Sequence, residues 1–427
     1  MSSIKIEGGV PLKGKVTPMP NKNSVLKIIP ACLLADERVT LHNVPRSSSV
    51  RAMLRIFRRL GGKVSYLGNS SIRLNAVSLN KYIISEDLAK HERASFMFLG
   101  PLLSRFGKAE IGDSGGCKLG NRPLDAMFQG IRGLGVEIDK DNGYKLQTKG
   151  LKGSEPIWLV EASVTGTENL IIAAVKAKGR TIIYNSACEP HTQDLCNFLN
   201  SIGAKISGVG SNKLVIDGVQ KLSGGEWSII PDHLDIGGYI VAAAITGGEI
   251  LIEDAIPEHM KQILNYFAKL NVRVEIQGEN LLVPGNQTLN CNKNEKGNID
   301  KIMDQPWPGY PVDLIPQAVV LASMAKGSIR IYGNMYETQL LFISELLKMH
   351  AELMLADSHQ IISFGPSNLT GSVVDATSIL QCAHAIVLAG LAANGTTIVR
   401  NADIVSRRYP DIVKRLKTLG ARIEIGR

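Results

Sequence analysis

No stretch of this chain is both long and apolar enough to cross a membrane. The longest apolar runs, 239–245 and 318–325, stop far short of the roughly 20 residues that a helical span needs. Residues 1–15 are polar and strand-like and lack the apolar centre of a secretory leader, so a cytoplasmic location is the expectation. Cysteine is sparse and badly spaced for metal or disulfide work. Cys32, Cys117, Cys188, Cys196, Cys291 and Cys382 contain no CxxC pair, which excludes a zinc ribbon or a disulfide framework, and no metal or cofactor is implied. Most of these thiols read as small buried hydrophobes. The formal net charge of +9 comes without a nucleic-acid reader motif. Arg51, Arg55, Arg58 and Arg59 cluster at helical spacing and read as a solvated face, so nucleic acid is not an expected partner.

What is present is repetition. An apolar helix, a Leu-Gly-Ala-like turn and an alternating strand recur with the turn at Gly61, Gly135, Gly203, Asn271, His350 and Gly420, a beat of roughly 70 residues. A second phrase keeps the same beat: a helix of Ala, Leu and Ile, a Gly or polar turn, then a strand. Its copies include LGPLLSRFGKAEIGD, AAAITGGEILIEDA and AGLAANGTTIVRNA. These helices are apolar on every side, so they must be buried. The strands alternate as half-buried sheet does. The expected fold class is α/β, with three repeats per domain and sheets wrapped around a helical centre. A solenoid would have the same repetition, but the period is long for one and no capping repeats are evident. The expected domains are 23–231, carrying a Gly-rich loop at 112–125, and 1–22 plus 232–427, carrying Asp313 and Arg407.

Four stretches hold residues that core packing does not require. Lys22 and Asn23, in PNKNS, precede an apolar helix whose N-terminal amides favour anions; an ordinary capped helix start reads the same way. Cys117, in GDSGGCKLGNRPLD at 112–125, lies between Gly116 and Lys118 with Arg122 close by. An exposed cationic loop lowers a thiol's pKa and makes it nucleophilic. Asp313, after PWPGYPV, is either a general base or a helix cap, and the residues alone favour the cap. Arg407, in SRRYP at 406–410, belongs either to a clamp for a carboxylate or phosphate or to a solvated turn.

The phrases NKNS at 21–24, ERASFMFLGPL at 92–102, GGCKLGNRP at 115–123, SVTGTEN at 163–169, PDHLDIGGYIVAAA at 231–244, YPVD at 310–313 and SRRYPDI at 406–412 resemble those of the MurA-type enolpyruvyl transferases. The resemblance runs from end to end, and GGC with SVTGTEN points to the UDP-N-acetylglucosamine branch. It implies a two-domain inside-out α/β barrel. It implies transfer of the enolpyruvyl group of phosphoenolpyruvate to the 3′-hydroxyl of UDP-N-acetylglucosamine with release of phosphate, the first committed step of peptidoglycan synthesis. Both partners are small molecules. By the same resemblance Cys117 donates a proton to C3 and is open to alkylation by phosphoenolpyruvate or fosfomycin. Asp313 is the base near the attacking hydroxyl. Lys22, Arg93, Arg122 and Arg407 clamp the phosphate and carboxylate. Asn23 touches the nucleotide sugar, as Arg93 and Asp313 also do. Ser163 and Val164 hold the diphosphate, and Arg122, Pro123 and Asp125 contact the uridine end. The loop at 112–125 is expected to close over the ligand.

Four positions depart from the family pattern. Gln339 stands where an arginine helps to hold the phosphoenolpyruvate carboxylate, Ile379 where an acidic residue is expected, Gln381 at another arginine, and Met127 at a loop histidine. They leave room for a diverged transferase acting on another nucleotide or sugar. A non-catalytic UDP-sugar-binding relative is the third reading, and Lys22, Cys117, Arg122, Asp313 and Arg407 together argue against it.

Overall fold

Among the described residues six small sheets share one plan. The computed structural model describes residues 2–113, 123–153 and 156–426. In every sheet an edge strand runs parallel to the second strand, and the third and fourth strands follow antiparallel. The strand Ile83–Ile84, for example, is parallel to Lys108–Ile111, which pairs antiparallel with Tyr144–Gln147 and through it with Glu137–Lys140.

The described residues form two compact units, 20–113 with 123–230, and 2–19 with 231–426. Each has three of the sheets and its own hydrophobic core. The second unit takes in the start of the chain. Ser3–Glu7 lies between Thr396–Arg400 and Arg422–Gly426 and is antiparallel to both, and Lys13–Val16 runs parallel to Glu249–Ile252.

Each repeat has one inner and one outer helix. In the unit 231–426 the inner helices are His233–Thr246, Ile315–Met324 and Leu380–Ala392, and each packs on the other two. Nearly every residue in them is buried, as their all-round apolar sequences require. In the other unit Lys22–Ala31, Leu99–Phe106 and Val164–Ala174 take the inner role. The outer helices are amphipathic. Ser48–Arg59 buries Met53, Leu54, Ile56 and Phe57 and exposes Arg51, Arg55, Arg58 and Arg59, the solvated face read from the sequence. Cys32, Cys188, Cys196 and Cys382 are buried, and burial pushes the Cys188 thiol up to about 11 and those of Cys32 and Cys196 higher.

The repeated turn has a backbone reason. Gly61, Gly135, Gly203, Asn271, His350 and Gly420 all have positive φ, between 60° and 107°. This left-handed conformation ends the outer helix and turns the chain into the next strand. Where glycine is missing, a side-chain bond accompanies it: Asn271 Nδ2 donates to the Thr288 carbonyl at 2.7 Å, and His350 Nδ1 lies 2.7 Å from Thr370 Oγ1. At Gly135 a Cβ would meet nothing within 4 Å, so only backbone strain opposes substitution. Gly135→Ala is expected to lower unfolding free energy by about 1 kcal/mol, and Gly135→Asn by less. Urea midpoints check this, and equal midpoints for glycine and alanine would remove the conformational argument.

Candidate active site

In the unit 20–230, the helix Lys22–Ala31 is anchored at its first turn. Asn21 Oδ1 accepts from Ser24 N–H at 3.0 Å, and Asn21 N–H donates to the Ile230 carbonyl at 2.7 Å. Lys22 is buried and Asn23 half-buried at this N-terminus. One turn further, Ser24 Oγ donates to Asp194, which also accepts from Trp227 Nε1 at 3.1 Å. Lys27 Nζ donates to Glu168 Oε2 at 2.5 Å, and Thr192 Oγ1 donates to the other oxygen at 3.1 Å. Glu168 is fully buried. Burial pushes its carboxyl up, and the Lys27 ammonium pulls it back.

The turn Arg93–Phe98, which begins with half-buried Arg93, packs on both Lys22–Ala31 and Val164–Ala174. Ser163 caps the second of these helices, its Oγ accepting from Gly166 N–H at 3.3 Å, and Val164 opens it. The helix Asp125–Arg132 packs on the same element, with exposed Pro123 and Asp125 at its start. A Cβ on Gly166 would come within 3.1 Å of Met127 N, so glycine permits this approach. Lys22, Asn23, Arg93, Pro123, Asp125, Ser163 and Val164 therefore stand on elements that touch one another or a shared helix. Cys117, Lys118 and Arg122, and most of the loop expected to close, lie outside the described residues.

In the unit 231–426, half-buried Asp313 lies in the turn Val312–Leu314 ahead of Ile315–Met324. The helix cap favoured from sequence is not what forms. The residue at the cap position is Leu314, and neither this turn nor the helix receives a side-chain cap bond. Two buried side chains hold the turn instead: Gln339 Nε2 donates to the Val312 carbonyl at 2.6 Å, and Tyr310 OH to the Leu314 carbonyl at 3.1 Å. Arg407 ends the short helix Asp403–Ser406 and is half-buried. Its neighbour Arg408 is 3% exposed and donates through Nη2 to Asp232 Oδ2 at 2.7 Å. This segment is consequently no solvated turn. Asp232 also caps His233–Thr246 by accepting from Leu234 N–H at 3.0 Å, and Arg415 reaches Asp235 on the same helix at 3.1 Å. The Asp313 turn packs on that helix too, and the Asp313 carboxylate is among the charges that act on Arg408. Burial drives His233 and His384 down to about 3, so both imidazoles are neutral.

Among the described residues no group of His, Cys, Asp and Glu is arranged to hold a metal ion, and no helix is long and apolar enough to cross a membrane. A family model for EPSP synthase (3-phosphoshikimate 1-carboxyvinyltransferase) matches residues 6–416. The chain belongs to the EPSP synthase family. Among curated EPSP synthase family relatives, the UDP-N-acetylglucosamine 1-carboxyvinyltransferase of Treponema denticola is 41% identical over 100% of this chain and 99% of its own length. That of Borreliella burgdorferi is 39% identical over 99% of each chain. The solved enolpyruvyl transferase NikO from Streptomyces tendae has 21% identity and a TM-score of 0.87 over 99% of each chain. EPSP synthase from Acinetobacter baumannii has 18% identity and a TM-score of 0.77 over 100% of each. The last two show the shared two-domain fold.

The four departures from the EPSP synthase family branch named above all turn inward. Met127 is buried, and its sulfur accepts from Asn169 Nδ2 at 3.3 Å. Gln339 is 1% exposed and bonded to the Val312 carbonyl. Ile379 joins the hydrophobic core at the start of Leu380–Ala392, and Gln381 is buried in that helix. Sequence reading missed Lys27, Glu168, Asp194, Asp232, Asp235, Arg408 and Arg415. For Lys27, Glu168 and Asp235 the signal was a charge inside an otherwise apolar helix, as in TENLIIAA.

Glu189 belongs with the missed residues. Its Oε2 is buried without a hydrogen-bond partner, and burial, with Glu168 nearby, raises its carboxyl to about 7; burial raises Asp194 to about 6. Between the unfolded carboxylate values, near 4, and these folded values, the folded chain keeps protons that the unfolded chain has released. The stability they contribute is complete below about pH 4 and is lost as pH rises through about 7. Glu189→Gln should match wild type in urea unfolding at acid pH and exceed it above pH about 8. An unchanged pH slope would count against the raised carboxyl.

Proposed function

We propose that this protein transfers the enolpyruvyl group of phosphoenolpyruvate to the 3′-hydroxyl of UDP-N-acetylglucosamine and releases phosphate. The observation that carries this reading is end-to-end identity of 41% to a protein bearing that activity in its name. Lys22, Arg93, Cys117, Arg122, Asp313 and Arg407, to which the resemblance assigns the chemistry, are also present in the sequence.

Addition to C2 of phosphoenolpyruvate needs a base for the attacking hydroxyl and an acid for C3. In this reading Asp313 is the base and Cys117 the acid. The intermediate carries phosphate and carboxylate on one carbon. Lys22, Arg93, Arg122 and Arg407 stabilise that charge, a role worth most when the donors are fixed in advance. The inner-helix anchoring of Lys22 through Ser24 and Lys27 supports such fixing. Asn23, Arg93, Pro123, Asp125, Ser163, Val164 and Asp313 hold the nucleotide sugar. Two features of Val164–Ala174 suit the diphosphate: a serine cap and an N-terminus free of acidic residues in the first turn. The reaction feeds peptidoglycan synthesis in the cytoplasm, and with it cell growth, shape and division.

A second reading, transfer to a different nucleotide or sugar acceptor, draws on Met127, whose inward sulfur takes the place of a loop histidine. Phosphate release from phosphoenolpyruvate with a panel of acceptors separates the two. Turnover at ordinary enzyme rates with UDP-N-acetylglucosamine is expected, and release only with another acceptor would replace the first reading by the second. Cys117→Asp should retain turnover, because a carboxylic acid also donates a proton, and should lose covalent inactivation by fosfomycin. Full fosfomycin sensitivity in that variant would sink the role of Cys117.

A further inference from the structure

The turn carrying Asp313 has an unusual support. Its backbone makes two regular bonds: Leu314 N–H donates to the Pro311 carbonyl at 3.0 Å, and Ile315 N–H to the Val312 carbonyl. The carbonyls on either side of Asp313 each take a further bond from a buried side chain, Gln339 Nε2 at Val312 and Tyr310 OH at Leu314. Tyr310 is fully buried, and burial holds its hydroxyl protonated, so it remains a donor.

Gln339 is itself fixed. It begins the turn Gln339–Phe342, where its N–H donates to the Tyr336 carbonyl at 3.3 Å and its carbonyl accepts from Cys382 Sγ at 3.3 Å. Upstream, the buried Asp304 carboxylate accepts from Asn334 N–H at 2.7 Å and Met335 N–H at 3.0 Å. Gln305 N–H donates to the Tyr310 carbonyl at 3.1 Å. The segment leading to Gln339 is thereby stitched to the segment leading to Asp313.

The side-chain amide cannot be turned round. With oxygen and nitrogen exchanged, two carbonyl oxygens would face each other at 2.6 Å. Gln339 Oε1 is buried without a hydrogen-bond partner. A half-satisfied amide costs free energy in a site where an apolar side chain would not. Its contribution must therefore lie in the bond made by its NH₂ group. That group is directed into the protein, whereas the arginine that the resemblance sets at this position serves the substrate carboxylate.

We propose that Gln339 is a positioning residue for Asp313, acting through the Val312 carbonyl to set the base against its hydroxyl. The assignment rests on the reading of Asp313 as the base. A misplacement of about 1 Å at a reacting group costs about a hundredfold in rate, so a modest tether has kinetic weight.

The test compares Gln339→Leu, Gln339→Glu and Gln339→Arg with wild type by phosphate release across pH, with thermal unfolding as a control for folding. Gln339→Leu should lower kcat by about tenfold to a hundredfold while KM for phosphoenolpyruvate stays within about twofold. Gln339→Glu should be slow at high pH and recover relative to wild type as pH falls, because only the protonated acid donates to a carbonyl. A merely structural defect has no such pH dependence. Gln339→Arg should lose kcat, since its longer side chain cannot occupy the buried site unchanged. A raised KM with unchanged kcat in Gln339→Leu would overturn the proposal. So would a pH-independent Gln339→Glu ratio, or an arginine variant that binds phosphoenolpyruvate more tightly at full kcat. Amide exchange at Ile315, whose N–H meets the same carbonyl, judges the tether without turnover. It should speed up in Gln339→Leu, and unchanged exchange would also overturn the proposal. If wild type releases no phosphate with any acceptor, the proposed function fails, and exchange alone decides the tether.

Discussion

A helix that is apolar on every side has nowhere to put water. Among the described residues six helices are of that kind or close to it, and the rest of the architecture is what covers them. In the unit 231–426, each of the three inner helices can shield only part of its neighbours, so the outward arc of each needs a sheet. A four-stranded sheet with one apolar face supplies it. The amphipathic outer helices follow between strands, and a left-handed residue brings the chain from each of them back into the sheet. The repeat of roughly 70 residues is the length of chain that this covering takes.

The same burial explains where charge appears. Lys27 with Glu168, Arg408 with Asp232 and Arg415 with Asp235 each pair a residue in or capping an inner helix with a partner on another element. Taking such ions out of water is costly, and pairs of this kind are weak evidence for stability. Their geometry says more. Ser24 and Lys27 lie just behind Lys22 and Asn23, and Asp232 caps the helix on which the Asp313 turn packs. The buried charges sit one step behind the residues assigned to chemistry, and they fix the backbone that presents those residues.

Fold and site were legible to different degrees. The all-apolar helices and the beat of Gly61, Gly135, Gly203 and Gly420 led to the α/β class and the wrapped-helix plan, because periodicity and glycine report directly on burial and φ. Asn271 and His350 kept the beat without glycine because a side-chain bond accompanies the left-handed backbone there. The residues around Asp313 alone favour a cap, which does not form. A carboxylate ahead of a helix caps it only when the backbone brings an N–H to it, and here a tight turn intervenes. Lys22 and Arg407 were visible as cations, but their supports were not. Asp194 and Arg408 meet partners 170 and 176 residues away in sequence, and no local pattern records such a pairing.

The strand Ser3–Glu7 has its neighbours at Thr396–Arg400 and Arg422–Gly426. On a ribosome its partners are made only after the whole of the unit 20–230. The unit 20–230 has every strand of its three sheets within its own span, so it can settle while synthesis continues. The other unit cannot close its final sheet until the last strand emerges, and until then a strand bearing Ile4 and Ile6 waits with both edges open. The sheet thus constrains assembly: the unit 20–230 has all its strands before the sheet of Ser3–Glu7 can close.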